Sequence, residues 1–294
     1  CLVFSFMAEQ NESLSQAIAR NVRDALAEDL GTGDWTAQLV PANRQAHAKL
    51  IVRQEAVLCG IAWFEAIFLA LDSSAVIHWH HQEGEWMQTN TTVCEIDANA
   101  RALLSAERPA MNFLQTLSFT ATITRQYVDA SAGASPNPNG CAILDTRKTL
   151  PGLRQAQKYA VRIGHGHNQR MALWDGILIK ENHIAAAGSI TAALKAADAL
   201  RAGVEVQIEV ESITELEEAL SAGATSILID NFSLEQMRLA VKINAGRALL
   251  EASGGVSIDQ IKAIASTGVD RISIGKLTKD IQAIDYSMRI DPLS

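Results

Sequence analysis

Arg147 and Lys148 stand together in DTRKTLPGLR, directly after the apolar run CAIL and Asp145. An arginine grips a carboxylate or phosphate through two parallel hydrogen bonds, and a lysine adds a point charge. Exposed Arg-Lys pairs are also common in loops, so this pair alone decides little. The stretch GHGHNQRMALWDGILIKENHI adds Arg170 and Lys180, with Gly164 and Gly166 permitting a tight backbone. Cations gathered in this way suit a multiply anionic substrate. Lys180 has a second chemistry open to it, a Schiff base with a carbonyl compound. That role needs a neutral amine, and the neighbouring cations favour an anion clamp.

Acids complete the set. In VEVQIEVES, Gln207, Glu209 and Glu211 alternate with Val206, Ile208 and Val210. A parallel strand buried on both faces reads apolar throughout, so an inward polar face needs a reason. The alternative is an edge strand with one face in water. Asp230 ends the next run, SILID. Two acids on adjacent strands suit Mg²⁺, which takes one or two carboxylates with waters and substrate phosphates. ASGGV (252–256) and SIGK (273–276) put glycines after the last two apolar runs, where backbone N–H groups can hold a phosphate. The histidines offer less. His165, His167 and His183 lack zinc-ligand spacing, and His78, His80 and His81 in IHWHH fit a strand surface.

These residues share a position, at the end of short apolar runs: CAILD, DGILIK, EVQIEV, SILID, ALLEAS and RISIG. Stretches with helical apolar spacing separate the runs. Strand alternating with helix predicts a parallel sheet closed into a barrel, with the loops after the strands building the site. Asp145 is expected at that mouth with the others. Upstream, 14–30 predicts a helix stopped by Gly31, followed by the Gly-rich turn LGTGDWT. HAKLIVRQEAVLCG and AVIHWHHQEGEWMQTNTTVCEIDA predict strands, with WFEAIFLALD a helix between them. A long helix is expected over roughly 104–131, beginning near Pro109. GASPNPNG, 133–140, has the composition of a linker. The fold class predicted is α/β. A mixed N-terminal domain covers 7–118, joined by the C-terminal segment 280–294, and an α/β barrel covers 119–279.

Apolar residues make up 48% of the 294, ample for a core. A formal charge of −8 argues against nucleic acid or an anionic membrane as partner. From Asp145 to His183, however, seven Lys/Arg stand against three acids, a net +4. A small anionic ligand explains such a local patch better than a polyanion. Cys1, Cys59, Cys94 and Cys141 are scattered without a CxxC, which fits reduced, buried thiols and a cytoplasmic location. GIAWFEAIFLAL is too short to span a bilayer and contains Glu65, and CLVFSFM is too short for a secretory signal. Cys1 is not an ordinary initiator, which makes Met7 a candidate start and residues 1–6 an added remnant or an upstream extension.

The segments EDLGTGDWTAQLVP, ERPAMNFLQTLS, DTRKTLPGLR, NQRMALWDGILIKENHI and ISIGKLTKDIQAIDYSMR resemble the quinolinate phosphoribosyltransferases, the carboxylating nicotinate-nucleotide pyrophosphorylases of de novo NAD synthesis. The likeness runs through nearly the whole chain. It implies a type II phosphoribosyltransferase: an N-terminal α/β domain beside an open TIM-like barrel, in a homodimer with shared sites. It implies Arg108 reaching into the partner subunit's site. Arg147, Lys148, Arg170 and Lys180, with Thr146 and Gln169, would bind a dicarboxylate. Glu209 and Asp230 would lie near the ribose and Mg²⁺-pyrophosphate, meeting the metal directly or through water. Ser253, Gly254 and Gly255, with Ile274, Gly275 and Lys276, would hold phosphates.

The implied reaction joins quinolinate to phosphoribosyl pyrophosphate and gives nicotinate mononucleotide, pyrophosphate and CO₂. Lys148, Lys180, Glu209 and Asp230 are its implied catalytic residues, and Mg²⁺ its only implied cofactor. Both lysines stay open as the group that protonates C2. One departure stands out. The family commonly has Asn-His-Arg where this chain has Asn168-Gln169-Arg170. Gln169 can donate a hydrogen bond but cannot become a cation. His167 lies two residues earlier, on the same side if the backbone is extended. Three alternatives remain: a Schiff-base aldolase on Lys180, a non-catalytic binder of phosphate ligands, and a paralogue acting on another pyridine or anionic substrate.

Overall fold

Ser13 and Gln16 start the first helix reciprocally. The Ser13 hydroxyl accepts from Gln16 N at 3.3 Å, and Gln16 Oε1 accepts from Ser13 N at 2.8 Å. The computed structural model describes residues 11–291. The expectations for Cys1, Met7 and residues 1–6 lie outside the described residues. Helix α1 covers Leu14–Leu30 and stops at Gly31, whose φ of 49° suits a residue without a Cβ. Strands β1 (Gln45–Val52) and β2 (Ala56–Val57), helix α2 (Ile61–Leu71), and strands β3 (Val76–Trp79), β4 (Trp86–Met87) and β5 (Thr92–Asn99) follow. Helix α3 covers Ala100–Ser131. Strand and helix then alternate through β6 (Ala142–Leu144), α4 (Arg154–Ile163), β7 (Gly176–Ile179), α5 (Glu181–Ala187), α6 (Ile190–Ala199) and β8 (Glu205–Val210). The alternation continues with α7 (Ile213–Ser221), β9 (Ser226–Asp230), α8 (Leu234–Asn244), β10 (Leu249–Ser253), α9 (Ile258–Ala265), β11 (Arg271–Ser273) and the short α10 (Lys276–Lys279), before β12 (Tyr286–Ile290).

Two units emerge. The first takes the described chain up to Glu55, Gly60–Gln115 and the segment from Ile284. Its sheet is antiparallel in the order β12-β1-β5-β3. Alternation along β1 buries Ala48, Leu50 and Val52 and turns the intervening residues outward. α2 buries Trp63, Phe64, Ile67 and Phe68, and Phe64 meets Trp79 edge-on at 5.3 Å. His78 pairs across the sheet with Glu95, and His81 Nδ1 lies 3.1 Å from Glu85 Oε1. The long helix begins earlier than expected. Asn99 Oδ1 accepts from Arg101 N at 3.0 Å and starts it there. Pro109 is carried inside, forfeiting the bond its missing N–H would make to Ser105.

The second unit comprises Ala56–Cys59 and Thr116–Ala283. All of the predicted apolar runs are strands here, in one parallel sheet of order β6-β11-β10-β9-β8-β7. Closure, which periodicity predicted, does not occur: no ladder joins β6 to β7 among the described residues. The sheet has the open form that the resemblance implied. Six strands are too few for the geometry that eight provide. The main chain at His167 occupies the free edge instead, donating to Ile143 O at 2.8 Å. β8 is paired on both sides, which removes the edge-strand alternative. Ile208, Val210, Ile227, Ile229, Leu250, Ala252 and Ile272 pack with helix residues such as Leu216, Ala240 and Ile261 in one core. The residues between them in sequence, including Gln207, Leu228, Glu251 and Ser273, therefore face the lumen.

Gly164 and Gly166 are needed for close approach. A Cβ on Gly164 would lie 2.5 Å from Ala121 O, and one on Gly166 would lie 2.6 Å from Thr124 Cγ2. The 133–140 segment is no domain linker; it lies within this unit, held by Asn137 Nδ2 donating to Asp270 Oδ1 at 2.7 Å. Among the described residues Cys59 and Cys94 are buried, Cys94 and Cys141 are free thiols, and burial pushes both of these up. No described helix is long and apolar enough to cross a membrane.

Candidate active site

Directly after β6, the chain turns one residue inward. Asp145 is fully buried, not at the mouth as the sequence predicted. Its carboxylate accepts from Lys158 Nζ, from Asn168 Nδ2 at 2.6 Å and from Gln169 N at 2.9 Å. Lys158 is equally buried, on α4, and donates also to Gln169 O at 2.8 Å. Burial pushes the Asp145 carboxyl up and the Lys158 ammonium down, and their mutual attraction opposes both shifts. The pair ties the segment 167–170 to the end of β6. Two cations of the sequence patch, Arg147 and Arg170, are thereby brought to one place. A third, Lys158, is spent internally.

That place is a cavity of about 320 Å³. Thr146, Arg147, Lys148, Gln169, Arg170, Lys180, Glu209 and Ser253 line it, with Leu178 and Leu228 as apolar walls and Glu251 and Ser273 from the lumen. Arg147 Nε and Arg170 Nε are buried donors without a hydrogen-bond partner. Arg170 Nη1 donates to Gly176 O at 2.9 Å, which aims the rest of the guanidinium. Burial, and secondarily the charge of Arg147, lowers the proton affinity of Arg170. Two such groups side by side are a binding surface for anions. Lys180 Nζ donates to Glu209 Oε2 at 2.6 Å with its side chain 44% exposed, and is not enclosed by apolar groups that would activate it as a Schiff-base nucleophile. Its backbone N–H is capped by His183 Nδ1 at 3.0 Å. His167 is exposed and does not line the cavity, so Gln169 occupies that position alone.

A second cavity, also about 320 Å³, adjoins the first through Thr146, Lys148, Ser253 and Ser273. Asp230, Gly254, Gly255, Ile274, Gly275 and Lys276 line it, with Asn231 and Lys279. Gly254 has no substitute here: its φ is 110°, and a Cβ would lie 2.3 Å from Asn231 Oδ1. Gly275 lets the Lys148 stem pass, since a Cβ there would be 3.1 Å from Lys148 Cδ. Arg108 is not among the lining residues; it is exposed on α3, in the first unit.

Residues 34–118 match the N-terminal domain, and residues 120–289 the C-terminal domain, of quinolinate phosphoribosyl transferase. The chain belongs to this family. It is 39% identical over 264 residues to the probable nicotinate-nucleotide pyrophosphorylase (carboxylating) of Bacillus subtilis (strain 168), covering 90% of each chain. It is 36% identical over 288 residues to a Nicotiana tabacum quinolinate phosphoribosyltransferase (decarboxylating), covering 91% of this chain and 80% of that one. The solved nicotinate-nucleotide pyrophosphorylase from Francisella tularensis superposes with a TM-score of 0.89 at 42% identity, covering 94% and 96% of the two chains.

In this phosphoribosyl transferase, several lining residues had escaped the sequence reasoning. Glu251 had a signal, a charge inside the apolar run ALLEAS. Asn231 and Ser273 had none, being ordinary polar residues beside strand ends. Glu211 joins Glu209 and Asp230: carboxylate oxygens of all three lie within 4.8 Å of one another. Hard oxygen donors at that spacing fit Mg²⁺. The orphaned guanidinium donors carry a stability cost of about 1–3 kcal/mol each, whereas the Asp145–Lys158 pair is fully bonded. Lys158→Met should therefore lower the unfolding free energy by about 3–5 kcal/mol, because it strands a buried carboxylate. Arg147→Ala should leave stability unchanged or raise it. Urea denaturation of the two variants measures the contrast, and an equal loss in both would mean that Arg147 is a structural residue.

Proposed function

We propose that this chain transfers the phosphoribosyl group of phosphoribosyl pyrophosphate to quinolinate, with decarboxylation, giving nicotinate mononucleotide, pyrophosphate and CO₂. The observation that carries this reading is the pair of buried, unpartnered guanidinium donors of Arg147 and Arg170 in a cavity that opens onto a second, glycine-rich one. The first compartment suits a flat ring bearing two carboxylates, with Leu178 and Leu228 against its faces. The second suits the ribosyl phosphate and pyrophosphate, with N–H groups of the 253–255 and 274–276 turns as donors. The name of the Nicotiana tabacum relative, which speaks of quinolinate and of decarboxylation, supports the same assignment.

The ring nitrogen would attack C1 of the sugar as the bond to pyrophosphate breaks. Glu209 and Asp230 stabilise the positive charge that develops on the ribosyl group. Mg²⁺, held by oxygens of Glu209, Asp230 and Glu211, would supply charge neutralisation for the departing pyrophosphate. The bond to the 2-carboxylate then breaks with its electron pair left on C2, where the adjacent positive ring nitrogen stabilises it, and CO₂ leaves. C2 takes a proton from Lys148 or Lys180. Lys148 lines both compartments, which favours it. In this reading the enzyme is a homodimer in which Arg108, exposed on α3, completes the partner's site.

Quinolinate should turn over with release of CO₂ and pyrophosphate, and nicotinate should show a kcat/KM at least about a hundredfold lower, because losing one carboxylate leaves buried cations unpaired. Equal turnover of the two would overturn the substrate assignment. Asp230→Asn should lower kcat about 10²–10³-fold while quinolinate binding stays nearly intact, and Arg147→Ala should weaken that binding directly. Calorimetry decides, and the reverse pattern would mean that the compartments are assigned backwards. Arg108→Ala and Lys180→Ala subunits, each inactive alone, should recover activity when mixed, since one hybrid site keeps both residues. No recovery in verified heterodimers would exclude shared sites.

A further inference from the structure

The lumen holds a buried acid that this mechanism does not use. Glu251 lies in mid-β10 at 1% exposure, yet it lines the pyridine compartment. Its Oε2 accepts from Gln207 Nε2 at 2.9 Å, and Gln207 Oε1 accepts in turn from Gln169 Nε2 at 3.1 Å. Both ends of the Gln207 amide are thus committed, and its orientation is fixed. Glu251 Oε1 has no hydrogen-bond partner.

The charges around it give it no ion pair. Arg271, whose charge acts on Glu251, is bonded to Glu205 at 3.2 Å. Lys180 is bonded to Glu209. Arg147 and Arg170 line the same cavity, but neither pairs with Glu251. An ionised carboxylate there would be buried, half-solvated by one amide, and set to compete with a substrate carboxylate for the same guanidinium groups. Burial favours the protonated form, against the opposing influence of Gln207, Ser273 and Arg271. In a neutral acid whose Oε2 already accepts from Gln207, the proton belongs on Oε1. That atom then has a donor with no hydrogen-bond partner in place, although the Ser273 hydroxyl lies beside the carboxyl.

We propose that Glu251 is a neutral carboxylic acid whose Oε1–H donates a hydrogen bond to the bound pyridine dicarboxylate, making it a further specificity-determining residue of the compartment. It adds a donor to an already crowded cationic site without adding another charge. The proposal rests on the substrate reading given above.

The test is infrared difference spectroscopy of the full-length protein at neutral pH, with and without quinolinate, alongside calorimetry. The expected result is a protonated-carboxyl C=O stretch that shifts when quinolinate binds and is absent from Glu251→Gln. Should that variant not fold, Glu251→Met serves as the spectral blank. Glu251→Gln, which keeps an N–H donor, should bind quinolinate within about threefold of the wild type, and Glu251→Met should bind it roughly tenfold or more weakly. Binding of phosphoribosyl pyrophosphate should be unchanged in both, which a merely structural role would not spare. A wild-type spectrum with no protonated carboxyl, or one whose band ignores quinolinate, overturns the proposal while leaving the substrate reading standing. Failure of the wild type to bind quinolinate overturns both.

Discussion

Asp145 and Lys158 form a buried ion pair, and the two cationic halves of the pyridine compartment meet across it. Arg147 and Lys148 leave the end of β6 on one side. Gln169 and Arg170 belong to the irregular segment on the other. In a closed barrel a neighbouring strand would satisfy that segment's backbone. Here the sheet is open between β6 and β7, and buried peptide groups still need partners. The pair supplies them: the carboxylate accepts from Gln169 N, and the ammonium donates to Gln169 O. An apolar pair of equal volume would avoid the cost of burying charge but could not bond the peptide on both sides. The open barrel and the buried pair are two parts of one arrangement.

With its backbone fixed, the site can hold side chains that repel each other. Burial, and to a lesser degree the charge of Arg147, weakens the hold of Arg170 on its proton. Neither Nε finds a partner. Such groups destabilise the free protein and favour any ligand that satisfies them, which is the usual exchange of stability for function at a preorganised site. Only a rigid surround keeps them from swinging into solvent. Gly176 O on one guanidinium and the glycine contacts at 164 and 166 beneath the segment provide that surround.

Much of this was legible in the sequence. The apolar runs marked every strand of the parallel sheet, because a buried strand has few ways to be written. The Gln207–Glu209–Glu211 alternation marked a polar lumen, since side chains alternate strictly along a strand. Periodicity could not show closure, which depends on strand number and tilt rather than on any residue. Asp145 misled because strand-end acids in such sheets usually point outward, and only its partner on α4, thirteen positions on, reveals the inward turn. Pro109 misled because a helix that is well started upstream can absorb the loss of one bond. Asn231 was illegible: what matters is its φ of 56° and its place under Gly254, and neither is written in residue type.

Gln169 is the residue where these constraints converge. Its peptide is held by the buried pair, and its side chain points into the lumen toward Gln207. A cation at this position would face Arg147 and Arg170, whose Nε donors are already buried without partners, adding repulsion that the free protein must bear. An amide adds none. It passes a donor inward instead, through Gln207 to Glu251, so that the deepest polar layer is held by hydrogen bonds with fixed direction rather than by charge. Charge is then concentrated around the two cavities: Arg147, Arg170 and Glu209 in the first, Lys148 at the junction, and Asp230 in the second. A site ordered in this way discriminates by the number of anionic groups a ligand brings, because each missing one leaves a particular buried donor unanswered.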